Sequence, residues 1–220
     1  MVIDNSYVTF HDIIYRQVIG IPMGTNCAPF LANIFLHVYE YEYMLKLVQN
    51  RNVHTARKLA QTFRYQDDCV SLNDEGVFKL HYKNIYPPEM LLKSTNLTKA
   101  TSTFLDMRIS VFRGNFRYKS YDKRNDFDFS IANYPHMDGN VPFRTSYGVY
   151  MSQLVRFCDI NCEINSFISD VKGMTGKFLK QGFIRNMLKS IFWKFRNNYL
   201  FKWSKFGVEI TDYCGSLFAC

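Results

Sequence analysis

Thr62-Phe63-Arg64-Tyr65-Gln66-Asp67-Asp68-Cys69-Val70-Ser71-Leu72 is the stretch on which the fold turns. Phe63 and Tyr65 lead in, Cys69 and Val70 lead out, and the polar Gln66-Asp67-Asp68 suits a tight turn. The pattern therefore predicts two short antiparallel strands with a pair of acids at their junction. Adjacent carboxylates on a hairpin tip repel each other unless a cation neutralises them. A hairpin is also a rigid mount for hard oxygen ligands, which suits Mg²⁺. Alone, such a pair is explained more simply by a solvated turn, so the flanking sequence has to decide.

Upstream, residues 5–19 read as extended chain, with Tyr7, Val8, Thr9, Phe10, Ile13, Ile14 and Tyr15 as β-formers. Gly20-Ile21-Pro22-Met23-Gly24 follows as a turn. Its two glycines let backbone approach a ligand closely, and the helix it opens offers free N–H groups to phosphate. Thr25 or Asn26 can cap that helix, with Pro29 in its first turn. Ala28, Leu31, Ala32, Phe35, Leu36, Tyr39 and Tyr43 recur with helical spacing and predict one long amphipathic helix. The polar segment 49–52 breaks it, and a second short helix is expected over 53–60. Downstream, residues 77–85 read as a helix stopped by Tyr86-Pro87-Pro88 and 90–93 as a strand. Residues 104–112 and 116–121 read as a hairpin around Arg113-Gly114-Asn115. Residues 122–147 are irregular, and the chain is helical from Tyr147 onward. The sum is an α+β chain.

Composition narrows the function. The chain has 220 residues, 47% hydrophobic and 17% aromatic, with 27 basic against 19 acidic residues and a net charge of +8. Such a chain is globular and favours a polyanionic partner. The charge is uneven: residues 1–110 carry 11 basic and 10 acidic side chains, and residues 111–220 carry 16 and 9. Between Val171 and Phe206 nine lysines or arginines alternate with nine aromatics, without one acid. There Ile184, Met187, Leu188, Ile191, Phe192, Phe195 and Tyr199 form an apolar stripe, while Arg185, Lys189 and Arg196 share another face. This region suits a nucleic-acid backbone, or is an ordinary amphipathic helix with a solvated basic face. The longest uncharged run, 17–39, holds two prolines and two glycines and does not suit a bilayer. The N-terminal residues lack a secretion signal. Six cysteines without CxxC spacing read as reduced, intracellular thiols. Cys158 and Cys162 stand one helical turn apart and could share a metal, but no histidine is near them in sequence.

Taken in order, these segments resemble a family. Gln17-x-x-Gly20-Ile21-Pro22-Met23-Gly24-x-x-x-Ala28-Pro29 is similar to motif B of reverse transcriptases, and Tyr65-Gln66-Asp67-Asp68 resembles their YxDD motif C. Lys93 is placed like the motif D lysine. Phe104-Leu105-Asp106-Met107 with the Gly114 hairpin resembles motif E. The G-x-P-M-G loop, the FLD stretch and Leu179-x-Gln181-Gly182-Phe183 are most similar to Penelope-like retroelements. The resemblance spans residues 5–205 and rests mainly on motifs B and C.

The resemblance implies a partial polymerase palm over 1–121, a small antiparallel sheet packed on helices. A connecting loop and a basic helical thumb over 122–220 follow. Asp67, supported by Asp68, would hold the catalytic pair of Mg²⁺ ions. Gly20, Pro22, Met23 and Gly24 would lie against the incoming dNTP, and Tyr65 near the primer terminus. Lys93 would act as general acid towards pyrophosphate. Lys177, Lys180, Arg185, Lys189 and Arg196 would grip the RNA/DNA template–primer duplex.

The pattern is broken in one place that matters. Relatives carry a further aspartate upstream of motif B in a D-V-x-x-L-Y-T-N-like stretch. Only Asp4 and Asp12 precede Gly20 here. Two adjacent carboxylates cannot bridge two ions from opposite sides. The expectation is a truncated reverse transcriptase whose isolated chain is inactive. The alternatives are a non-catalytic nucleic-acid-binding remnant and a gene fragment without function. Nuclear residence would suit a retroelement enzyme, though no strong import signal is visible. Asp106 is expected to be structural, accepting backbone hydrogen bonds, residues 122–126 to be a solvated loop, Trp193 and Trp203 to be core, and the five histidines carry no assigned role.

Overall fold

The computed structural model describes residues 6–22, 24–73, 75–96, 98, 100–129, 131, 134–208 and 210–218. The chain divides into two compact units, Met1–Ser94 and Thr95–Cys220. Both mix helices with small antiparallel sheets, so the protein is α+β.

The N-terminal unit begins with a ribbon of β1 (Tyr7–Phe10) and β2 (Ile13–Arg16), turned at His11-Asp12 and exposed along its whole length. After the glycine loop comes α1 (Ala28–Gln49), with Pro29 in its first turn. A break at Asn50-Arg51-Asn52 leads into α2 (Val53–Leu59), where Asn52 Oδ1 accepts the Thr55 N–H as cap. The second ribbon pairs β3 (Thr62–Tyr65) with β4 (Asp68–Ser71), Tyr65 opposite Asp68. Helix α3 (Val77–Ile85) ends before Pro87-Pro88. Leu36, Leu47, Ala56, Leu59, Ile85 and Tyr86 form the core of this unit. Of the stripe expected to bury α1, Leu36 and Tyr43 reach the core, whereas Phe35 is exposed. Residues 90–93 are irregular, not a strand; Leu91 is exposed and no neighbouring strand pairs with them.

The C-terminal unit carries a three-stranded sheet, β5 (Thr101–Phe104), β6 (Met107–Phe112) and β7 (Asn115–Ser120). The single strand expected over 104–112 is interrupted by a turn at Leu105-Asp106, where Leu105 takes φ +54°. Without glycine or asparagine at that position, nothing local announces the turn. Helices α4 (Phe143–Ile160), α5 (Ile164–Lys180) and α6 (Arg185–Asn198) pack with short α7 (Leu200–Trp203) and α8 (Cys214–Leu217) around a dense aromatic core. Phe167, Phe178, Phe192 and Phe195 are fully buried there. The sheet joins the helices at the α4–α5 corner. The Tyr118 carbonyl accepts from Cys162 N–H, the Ser120 N–H donates to Asn161 Oδ1, and Asp170 accepts from Ser120 Oγ and Asn161 Nδ2. The sheet residues that the motif reading placed in the palm thus pack with the C-terminal helices.

The Leu179-x-Gln181-Gly182-Phe183 segment is a helix stop. Gly182 takes φ +85°, its N–H donates to the Leu179 carbonyl, and the Phe183 N–H reaches back to Phe178 O at 3.2 Å. That is a Schellman motif, completed by the Phe178–Phe183 ring contact at 4.6 Å.

Candidate functional site

The glycine loop is built by backbone conformation. Gly20 and Gly24 take φ +89° and +91°, a region that a side chain makes costly. Pro22 between them is buried. The Thr25 hydroxyl turns back to donate to the Pro22 carbonyl at 3.1 Å, so it holds the loop and does not cap the helix. The residue at the cap is Cys27, whose side chain bonds Thr25 Oγ1 and caps no helix amide, and no acid stands in the first turn of α1. The first-turn amides of α1 therefore keep their positive end of the helix dipole uncompensated by any side-chain cap. Met23 lies outside the described residues.

The acid-bearing turn occupies Gln66-Asp67, with Gln66 at φ +52°, and Asp68 opens β4. Asp67 and Asp68 are both exposed. The ribbon is oriented against the usual rule. Phe63 and Tyr65 face outward, and the inward side carries Arg64. Arg64 is only 11% exposed and makes the connection that positions the turn. Its Nε donates to Glu40 Oε1 at 2.6 Å, its Nη1 to Asn33 Oδ1 at 2.9 Å and to the Gln66 carbonyl at 3.2 Å, and its Nη2 to the Asn33 carbonyl at 3.3 Å. One guanidinium thus ties the turn to α1. Asn33 lies five residues into that helix, about 7 Å from its start at the helical rise.

The Tyr86 hydroxyl donates to the same Glu40 oxygen at 2.8 Å. Hydrogen bonding to Glu40 raises the Arg64 pKa further, against the opposing effect of burial. Burial, followed by the neighbouring Cys69 and Glu40, pushes the Tyr86 hydroxyl well above its ordinary value. Burial likewise raises Cys69, whose Sγ is 4.0 Å from the Tyr86 oxygen. The half-buried charge pair and the buried Tyr86 hydroxyl satisfy each other, which gives the connection one geometry.

Sequence reasoning missed Asn33, Glu40, Arg64 and Tyr86. The available signal was the inverted alternation of 62–65, with arginine where a core-facing residue belongs, and Glu40 on the same helix face as the apolar Leu36 and Leu47.

The other expected residues are placed as follows. Tyr65 is exposed on β3, across from Asp68. Lys93 is exposed in the irregular segment after α3. Lys177 and Lys180 are exposed on the last turn of α5, and Lys189 is exposed on α6. Arg185 is also exposed, but its Nη1 donates to the Phe218 carbonyl at 2.6 Å. Arg196 is half-buried, bonds Asn197 Oδ1 and lies 5.9 Å from the Trp193 ring centre. Along α6, Leu188, Phe192 and Phe195 of the expected stripe are buried, while Ile184 and Met187 are exposed. Trp203 is buried and donates to the Arg196 carbonyl, whereas Trp193 is exposed, not core. Asp106 pairs with Arg156 at 2.5 Å, and Asp122 caps its 3-10 turn while pairing with Arg124. Cys158 is buried, and Cys162 Sγ accepts the Tyr118 N–H.

Two cavities of about 530 and 330 Å³ are lined by neither the acidic turn nor the glycine loop. Among the described residues no three His, Cys, Asp or Glu side chains gather into a group able to hold a metal ion. No described helix is long and apolar enough to cross a membrane. Neither a family model, nor a curated protein, nor a solved structure corresponds to the chain.

Proposed function

We propose that this chain is of the RNA-directed DNA polymerase type found in Penelope-like retroelements, carrying motifs B to E and a basic thumb, and that it binds an RNA/DNA template–primer duplex. A single juxtaposition supports this reading. The turn bearing Asp67 and Asp68 is tied by Arg64 to the second turn of the helix that the 20–24 loop opens. A polymerase needs its carboxylates anchored near a phosphate-accepting loop, and Arg64 anchors this turn to the helix that follows the loop, which a merely solvated turn does not need. Exposed Lys177, Lys180 and Lys189 supply the duplex contacts, which are electrostatic and sequence-independent.

Two adjacent carboxylates do not fit a two-ion magnesium centre, which needs ligands on opposing sides of the ions. Nucleotidyl transfer is therefore not assigned to these 220 residues alone. Asp67 and Asp68 would contribute half of such a ligand set, and Mg²⁺ would supply charge neutralisation at the nucleotide phosphates.

The test is hydrogen exchange on the purified chain, with and without an RNA–DNA duplex plus dNTP and Mg²⁺. Joint protection of residues 20–30 and 62–72 is the expected result. Protection of the basic helices alone would leave the second reading, a non-catalytic nucleic-acid-binding protein. Mg²⁺-dependent primer extension by the chain would refute its inactivity.

A further inference from the structure

Helix α1 presents two different faces. One carries Leu36, Leu47 and the Glu40–Arg64 pair into the N-terminal unit. On the other, Leu31, Ile34, Val38, Tyr41, Leu45 and Val48 follow one another at alternating steps of three and four residues. That is an uninterrupted a/d heptad seam, with a period of 3.5, over most of the helix. Leu31 is half-buried and the other five are 42–61% exposed. Phe30 and Phe35 flank the seam and are exposed as well. Taking 150–250 Å² for a large side chain, the patch offers roughly 700 Å² of apolar surface. That exceeds what a monomer ordinarily leaves bare and approaches the ~800 Å² that each partner contributes to a standard interface.

We propose that this seam is a homodimer interface, in which α1 of one copy packs in parallel against α1 of a second as a short two-stranded coiled coil. A seam whose a and d positions are all apolar is self-complementary, as a two-fold interface requires. The flanks choose the orientation. In a parallel pair each g position faces the e position five residues further along the partner. His37 then meets Glu42 of the second copy, and Phe30 meets Phe35, each twice by symmetry. His37 and Glu42 are both exposed, so neither is withdrawn into the core of its own unit. The inference is independent of the proposed polymerase ancestry, because the seam contains none of the residues at the acidic turn or the glycine loop.

Sedimentation equilibrium over a wide concentration range tests it. The full chain is expected to form a concentration-dependent dimer, and Ile34→Glu combined with Tyr41→Glu to return it to monomer with its helix content intact. His37→Glu alone places like charges opposite one another and is expected to weaken the dimer about tenfold. Adding Glu42→Lys should restore it. A chain monomeric at every concentration overturns the proposal, as does a dimer indifferent to the seam substitutions or to His37→Glu. Loss of helix in the double variant would show the seam already covered within one chain, and overturns it equally.

Discussion

The two units of this chain solve the burial problem unequally. The C-terminal unit encloses Tyr150, Leu154, Phe167, Phe178, Leu188, Phe192 and Phe195 completely. Among the described residues, the buried hydrophobic core of the N-terminal unit has six members, and each retains 6–8% of its surface. It also leaves the β1–β2 ribbon and one face of α1 bare. The aromatic content lies in both units, so composition does not explain the contrast. Pattern does. The C-terminal helices carry one apolar stripe each and bury most of it, leaving Ile184 and Met187 exposed at the start of α6, whereas β1, β2 and α1 are apolar on more than one face. A small unit with so little enclosed surface is marginal by itself. The connection that orders it, from Arg64 to Glu40, Asn33 and Gln66, is polar.

The contrast is broken most strongly by core truncation. Phe178, ringed by Tyr134, Tyr150 and Phe183, loses about 4 kcal/mol on Phe178→Ala, and Leu36→Ala in the N-terminal unit loses only about 2 kcal/mol. Chemical denaturation followed by segment-resolved hydrogen exchange should show two transitions, with residues 28–86 opening first. Phe178→Ala should draw the second transition down towards the first, and a single unchanged transition in both variants would contradict the unequal cores.

Arg64→Ala comes next. It leaves the half-buried Glu40 carboxylate held only by Tyr86 and costs about 2 kcal/mol, because charge-assisted hydrogen bonds are lost. The loss should be confined to residues 28–86. Arg64→Lys should recover little, since an ammonium cannot span Glu40, Asn33 and the Gln66 carbonyl together. Equal loss in both units would mean that Arg64 is not the local tie described.

How far these features could be read beforehand depends on what each residue needs. The ends of α1, α2 and α3 follow from Asn50-Arg51-Asn52 and from Pro87-Pro88, which act locally, and they were legible. So was the β6–β7 turn, announced by Gly114. The turn at Gln66-Asp67 was legible too, from its polar residues between two short strands, whereas the turn at Leu105-Asp106 was not announced. In both a non-glycine residue takes a positive φ, imposed by strand pairing across the turn. Residues 90–93 have strand-forming character but no partner, and partnership is non-local. Asp67 and Asp68 were legible as a candidate site, whereas the groups that position them, 24 to 46 residues apart in sequence, were not.

Titration sharpens the comparison more gently. Burial pushes the Cys158 thiol up to about 11 from 9.0. A thiol whose folded pKa is raised gives stability that is whole below pH 9 and is lost as pH rises towards 11, on the order of 2 kcal/mol. The alkaline slope should appear in the second unfolding transition and flatten in Cys158→Ala. A slope unchanged in that variant would assign it to the tyrosines.

The smallest effect concerns the acidic turn itself. Gln66 holds φ +52°, a conformation that costs a residue with a side chain about 1 kcal/mol and costs glycine almost nothing. The Gln66 backbone carbonyl, which Arg64 Nη1 bonds, is retained in Gln66→Gly. Against this, glycine has more freedom to lose on folding, so the net gain should be a few tenths of a kcal/mol, confined to the first transition. If the turn were merely solvated and free to change shape, Gln66 would bear no strain and glycine would lose no extra freedom, so the variant would leave the first transition unmoved. A small gain, as against none, therefore reports that the Asp67-Asp68 turn is held in one conformation by Arg64, as a site for a nucleotide would require.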